Sequence, residues 1–197
     1  MNLVWYVSYG SNLMEERFHC YIKGGIPVGS TEAEKGCRDH TLPIANKGCE
    51  LPYPLYFAKD ASKWGTGGVA FLGHKEDPSE KTIARQYLIT FDQFVEVVEQ
   101  ENAADASSLS FDELVEKGSV TLDDGWYGRV VYLGTEDGYP KLTFTNPQDI
   151  GTDAFHKPAE PYAQTIAKGL SELSYSDEEI TSYLESRHGF QSSQAGK

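Results

Sequence analysis

Among the acidic residues of this 197-residue chain, Glu101 is the one best placed by spacing for proton transfer. It lies in Phe91-Asp-Gln-Phe-Val-Glu-Val-Val-Glu-Gln-Glu-Asn102, where Phe91, Phe94, Val95 and Val98 recur at helical spacing and define an apolar face. At about 100° per residue Glu96 points away from that face and Glu99 lies on its flank. Glu101 follows Phe94 and Val98 along the stripe, on its buried edge. Partial burial and the negative end of the helix dipole both disfavour a charged carboxylate there, which suits general acid–base work. A helix end fraying into water is the competing reading, and the sequence leaves both open.

The second stretch with chemical content is Tyr9-Gly10-Ser11-Asn12-Leu13, between an apolar run and a helical pattern. A strand breaking into a glycine turn at a helix start presents unpaired N–H groups suited to an anion. Gly10 would let the backbone approach a ligand, and Ser11 and Asn12 offer side-chain hydrogen bonds and helix capping. An ordinary strand-to-helix turn has the same spacing. Ser11 as a nucleophile with His19 as its base lacks the Gly-x-Ser-x-Gly elbow and a specified acidic partner. The five histidines show no HxH or HExxH spacing, so no metal site is expected. Trp64-Gly-Thr-Gly-Gly68 lacks the Walker lysine and the full dinucleotide fingerprint, and reads as a flexible turn before a strand. Arg17, Arg85 and Arg129 could each clamp a carboxylate, or equally serve in salt bridges.

These groups need a scaffold, and the pattern predicts a mixed one. A strand is expected over 3–8, a helix over 13–22, and short strands at Thr41–Ala45, Leu55–Ala58 and Gly68–Leu72. Another strand at Arg85–Ile89 leads into a helix over 91–102, with Thr90 and Gln93 as a capping box. Ser110 with Glu113 opens a short helix ending near Gly118. Arg129–Leu133 and Lys141–Thr145 pair around Thr135-Glu136-Asp137-Gly138. Helices follow over 159–173 and from Ser176, which with Glu179 forms another box, to Arg187. The expectation is one α+β domain over 1–190, a curled sheet or small β-barrel flanked by helices, with a flexible tail at 191–197.

Composition bounds the partners. A net charge of −13 without a Lys/Arg stripe argues against nucleic acid or an anionic membrane as the main partner. No segment approaches the roughly 20 apolar residues of a membrane span, and Met-Asn-Leu-Val-Trp-Tyr lacks a secretory pattern. Cys20, Cys37 and Cys49 show no CxxC spacing and read as free thiols of a cytoplasmic protein.

Tyr9-Gly-Ser-Asn-Leu13, Gly68-Val-Ala-Phe-Leu72 and Gln100-Glu101, in this order, resemble the γ-glutamylcyclotransferase-like family. Trp126-Tyr127 with Arg129-Val-Val-Tyr132, Lys141–Asn146 and Pro158–Leu173 extend the resemblance collinearly over most of the chain. Two departures are visible: Asn102 stands where relatives often carry glycine, and Phe144 where they can carry tyrosine. The motif order looks closer to the glutathione-independent members.

The resemblance implies cyclisation of a small γ-glutamyl amide or dipeptide to 5-oxoproline, with no cofactor. Glu101 would be the acid/base and the Tyr9–Leu13 loop the holder of the α-carboxylate or the oxyanion. Tyr127 would be a pocket wall or hydrogen-bond donor, or simply packing. A binding module that keeps the pocket for an acidic metabolite without turnover is the alternative. The oligomeric state is not legible in the sequence.

Overall fold

The run Val4-Trp5-Tyr6-Val7 is apolar without alternation, the pattern of a strand covered on both faces. It forms the middle of β1 (Leu3–Ser8), and all four residues are buried. The structure is a computed structural model describing residues 2–28 and 30–190. The expected tail at 191–197 therefore lies outside the described residues.

After β1 come a 3-10 turn (Ser11–Leu13), α1 (Glu15–Lys23), β2 (Ala45–Leu51), β3 (Leu55–Ala58), β4 (Ala61–Ser62) and β5 (Gly65–Thr66). Then follow β6 (Val69–Leu72), β7 (Thr82–Thr90), α2 (Phe91–Asn102), α3 (Phe111–Lys117) and β8 (Ser119–Thr121). The chain continues through β9 (Arg129–Glu136), β10 (Tyr139–Thr145), α4 (Glu160–Glu172) and α5 (Asp177–Glu185). This is the expected α+β mixture. Two compact units divide it: one holds the residues up to Ser8, Glu15–Lys47 and Arg85–Pro147, the other Tyr9–Met14, Gly48–Ala84 and the residues from Gln148.

The main sheet runs in the linear order β2-β7-β1-β10-β9-β8, the sheet form of the expectation rather than the barrel. β1 pairs antiparallel with β7, from Leu3↔Thr90 to Ser8↔Arg85, and parallel with β10 through Trp5↔Lys141. β9 and β10 form the predicted hairpin. Its turn residues Asp137 and Gly138 both have positive φ, 54° and 82°, the type I′ geometry for which Asp-Gly is suited.

In the first unit α1 and α2 cover one face of the sheet. Tyr6 packs its ring against Phe18 of α1 at 5.1 Å, Phe94 of α2 at 6.0 Å and Phe144 of β10 at 5.4 Å. Thr90 and Gln93 make the full capping box that starts α2, and the Gln93 amide also donates to the carbonyls of Asp39 and Thr41. Those bonds explain one misplaced strand. Strand β2 begins at Ala45, where the sequence suggests Thr41–Ala45, because side chains already hold the Thr41 N–H and carbonyl and Pro43 has no N–H.

A charged network lies at the hairpin turn. The Glu136 carboxylate meets Lys47 at 2.7 Å, Lys141 at 3.1 Å and the Gln86 amide at 3.0 Å. Lys47, opposed by desolvation and assisted by Lys141 and Gln86, holds the Glu136 pKa down to about 2. A depressed carboxylate contributes stability that is complete above the ordinary Glu range and lost as pH falls from about 4.5 to about 2. Denaturant titrations across that window should show a steeper loss of unfolding free energy for the wild type than for Glu136→Gln. Parallel slopes would refute the coupling.

In the second unit β3 pairs antiparallel with β6, Leu55↔Leu72 to Ala58↔Val69, and all eight residues are buried. Strands β4 and β5 form a two-rung ladder, so Trp64-Gly-Thr-Gly-Gly68 is partly a hairpin rather than a free turn. The expected Ser176–Glu179 capping box starts α5. Among the described residues no helix is long and apolar enough to cross a membrane.

Candidate functional site

Helix α2 buries Gln93, Phe94, Val97 and Val98. The stripe therefore passes through Val97, where the sequence suggests Val95, and Val95 is only half-buried. This rotation leaves Glu101 in line with Phe94, Val97 and Val98, at the i, i+3, i+4, i+7 spacing of one face. Glu101 is half-buried in the last helical turn, so the fraying alternative does not hold. α2 starts directly from β7, at the rung where Thr90 faces Leu3 of β1. Its 12 residues span about 18 Å, close to the length of β1, and its ring contacts show that it returns over the sheet.

What holds the Glu101 carboxylate is Tyr21 of α1. The Tyr21 hydroxyl donates to it, and burial, followed by the charge of Glu101, pushes the phenol's pKa well above its ordinary value. Next door, Gln100 donates to the Tyr21 carbonyl at 3.0 Å and accepts from the Gly36 N–H at 2.9 Å. The Arg17 guanidinium lies 5.9 Å from the Tyr21 ring centroid and 3.5 Å from Glu34 Oε1. Arg17 is only 2% exposed.

Asn102 has a definite task. Its amide donates to the Tyr127 carbonyl and accepts from the Tyr127 N–H, both at 3.1 Å, while also donating to Val98 at 3.0 Å. The loop before β9 is thereby clasped to the end of α2. The Tyr127 ring packs edge-on against Phe144 at 5.7 Å. Phe144 itself belongs to the aromatic core. Asn102→Ala should destabilise the protein by about 1–2 kcal/mol through the lost pair of bonds. Urea unfolding would check it, and an unchanged midpoint would show that the clasp is incidental.

The loop belongs to the second unit, whereas Glu101 and Tyr127 belong to the first. Tyr9, Asn12 and Leu13 are buried, and Gly10 and Ser11 are partly exposed. The Leu13 N–H bonds the Gly10 carbonyl and the Met14 N–H that of Ser11. The Leu13 N–H is therefore already engaged within the turn. Within the turn itself Gly10 occupies the cap position and no side chain caps it.

Gly10 has φ −113°, so its need for glycine is not conformational. A Cβ there would stand 2.9 Å from the Tyr162 hydroxyl of α4, which accepts from the Ala70 N–H at 3.1 Å. Gly169, two turns further along α4, lies directly on the loop: a Cβ there would be 2.4 Å from the Leu13 carbonyl carbon. Tyr21, Tyr162 and Gly169 escape a reading of the sequence.

Other candidates find structural duties. His19 lies 3.5 Å from Glu15 one turn earlier, and burial lowers its pKa. Arg85 also pairs with Glu15, at 3.1 Å. The three cysteines are free, and burial with Glu96 nearby raises the Cys37 pKa to about 12. Among the described residues no cluster of three His, Cys, Asp or Glu could hold a metal. A groove of about 910 Å³ beside α2 is lined by Phe91, Val95, Glu96, Glu99 and Arg38 but not by Glu101.

No protein-family model matches the chain. Its fold matches that of a γ-glutamyl cyclotransferase over 100% of this chain and 93% of that one, with a TM-score of 0.53 and 16% identity. An uncharacterized protein from Homo sapiens matches equally, with a TM-score of 0.53, 16% identity and 94% of its chain covered. The chain therefore has the γ-glutamylcyclotransferase-like fold. In sequence it is 37% identical over 199 residues to histone deacetylase 5 of Arabidopsis thaliana. That alignment takes in 92% of this chain, which spans 30% of the relative's length.

Proposed function

We propose that this protein cyclises the γ-glutamyl group of a small amide or dipeptide, releasing 5-oxoproline and an amine or amino acid. The observation that carries the reading is a half-buried, hydrogen-bonded Glu101 at the end of α2 in a chain with the γ-glutamylcyclotransferase-like fold. The substrate's α-amine attacks its own γ-carbonyl, forming the lactam C–N bond as the bond to the leaving nitrogen breaks. Intramolecular attack in a folded pose can supply on the order of 7 kcal/mol, so no side-chain nucleophile is required. Glu101 takes a proton from the attacking nitrogen and returns one to the leaving nitrogen. N–H groups of the Tyr9–Leu13 loop hold the α-carboxylate or the oxyanion.

The name of the Arabidopsis relative describes a protein of which this chain covers 30%, and its activity is not carried over. The free thiols fit action in a reducing cytoplasm. Purified protein with a panel of γ-glutamyl amides, read by 5-oxoproline release, tests the proposal. Tight binding of an acidic ligand with no turnover across the panel would replace it with the binding module. Labelling by a serine-directed reagent that disappears in Ser11→Ala would point to hydrolysis.

A further inference from the structure

We infer that Tyr21 is the positioning residue for Glu101, fixing the orientation of its carboxylate and the pH at which it titrates. The inference deepens the proposed acid–base role of Glu101 and rests on it. Tyr21 is 1% exposed and grips two consecutive residues of α2's last turn. Its hydroxyl donates to Glu101, and its carbonyl accepts from Gln100. Gln100 cannot swing freely, because its other end accepts from Gly36. One side of the helix end is thus pinned to α1 at two points, and Asn102 pins the other to Tyr127.

The charged groups that act on Tyr21 are Glu101, Arg17 and Glu34. No basic residue lies in the last turn of α2 to answer the carboxylate from its own helix. Tyr21 remains a hydroxyl throughout the range in which a carboxylate titrates, so it acts as a constant donor. Such a donor favours the ionised partner, and its removal must move that partner's titration upward. A tyrosine that only filled space would leave the titration where it was.

Tyr21→Phe keeps the ring and removes the donor. The acid limb of kcat/KM for 5-oxoproline release should move up by about one pH unit. The reduction should fall mainly on kcat, because Tyr21 acts through Glu101 rather than on the substrate. In parallel, the Glu101 side-chain carboxyl can be titrated by NMR in wild type and Tyr21→Phe, with Glu101→Gln identifying its resonance. A higher midpoint in the variant supports the inference even if no γ-glutamyl amide is turned over, in which case the cyclisation reading falls alone. An unchanged midpoint in a folded variant overturns it, whatever the activity. Should Tyr21→Phe not fold, Tyr21→Met provides the same two readouts.

Discussion

Glu101→Gln is expected to lower 5-oxoproline release by about 10²–10⁴-fold, the usual contribution of a positioned general acid–base group. The loss should appear in kcat, because an amide of the same shape keeps the packing and can still accept from Tyr21 but cannot exchange protons with nitrogen. Stability should change little, since Glu101 is only half-buried. Steady-state kinetics at several pH values, with thermal unfolding as the control, decides the matter. Turnover within a few-fold of wild type would remove Glu101 from the mechanism. A kcat loss with an unfolding midpoint near that of wild type would separate chemistry from folding.

Gly169→Ala tests the other half of the proposal. In an exposed helix interior this substitution stabilises by about 1 kcal/mol. Here the new Cβ would lie 2.4 Å from the Leu13 carbonyl carbon and 2.6 Å from the Met14 nitrogen. Those are backbone atoms, which cannot rotate away, so overpacking should cost about 1–3 kcal/mol and outweigh the helical gain. Either α4 or the loop must shift, and a shifted loop should lower kcat/KM. Ser171→Ala, on the exposed side of the same helix, provides a control expected to be neutral or slightly stabilising. A Gly169→Ala protein more stable than wild type with unchanged kcat/KM would show that the helix–loop contact yields without consequence.

Local signals were legible wherever a few neighbouring residues decide the outcome. Asp137-Gly138 specifies its hairpin because both turn residues need positive φ, and Thr90 with Gln93 specifies a helix start because the bonds close within four residues. Glu101 was findable for the same reason: helical periodicity is local, even though the stripe proved to pass through Val97 rather than Val95. The strand expected at Thr41–Ala45 begins only at Ala45 because Gln93, far along the chain, takes the Thr41 carbonyl that a strand would have used. The phenol holding Glu101 and the tyrosine and glycine behind the opening loop depend on which helices meet, which no spacing within one segment records. The loop illustrates the limit: its motif was recognisable, but the burial of Tyr9, Asn12 and Leu13 was not.

The parallel pairing of β1 with β10 also sets an order of events during synthesis. The Val7 carbonyl accepts from the Thr143 hydroxyl at 2.7 Å, across a sequence separation of 136. At roughly 5–20 residues per second a ribosome needs about 7–27 s to make the second partner after the first. β7 emerges earlier and can pair antiparallel with β1, but the opposite edge must wait for β10. Throughout that interval a strand apolar on both faces presents unpaired N–H and carbonyl groups to any neighbouring chain. The growing polypeptide therefore exposes this strand from its own synthesis onward, and covers it only when β10, the last strand of the sheet, has been made.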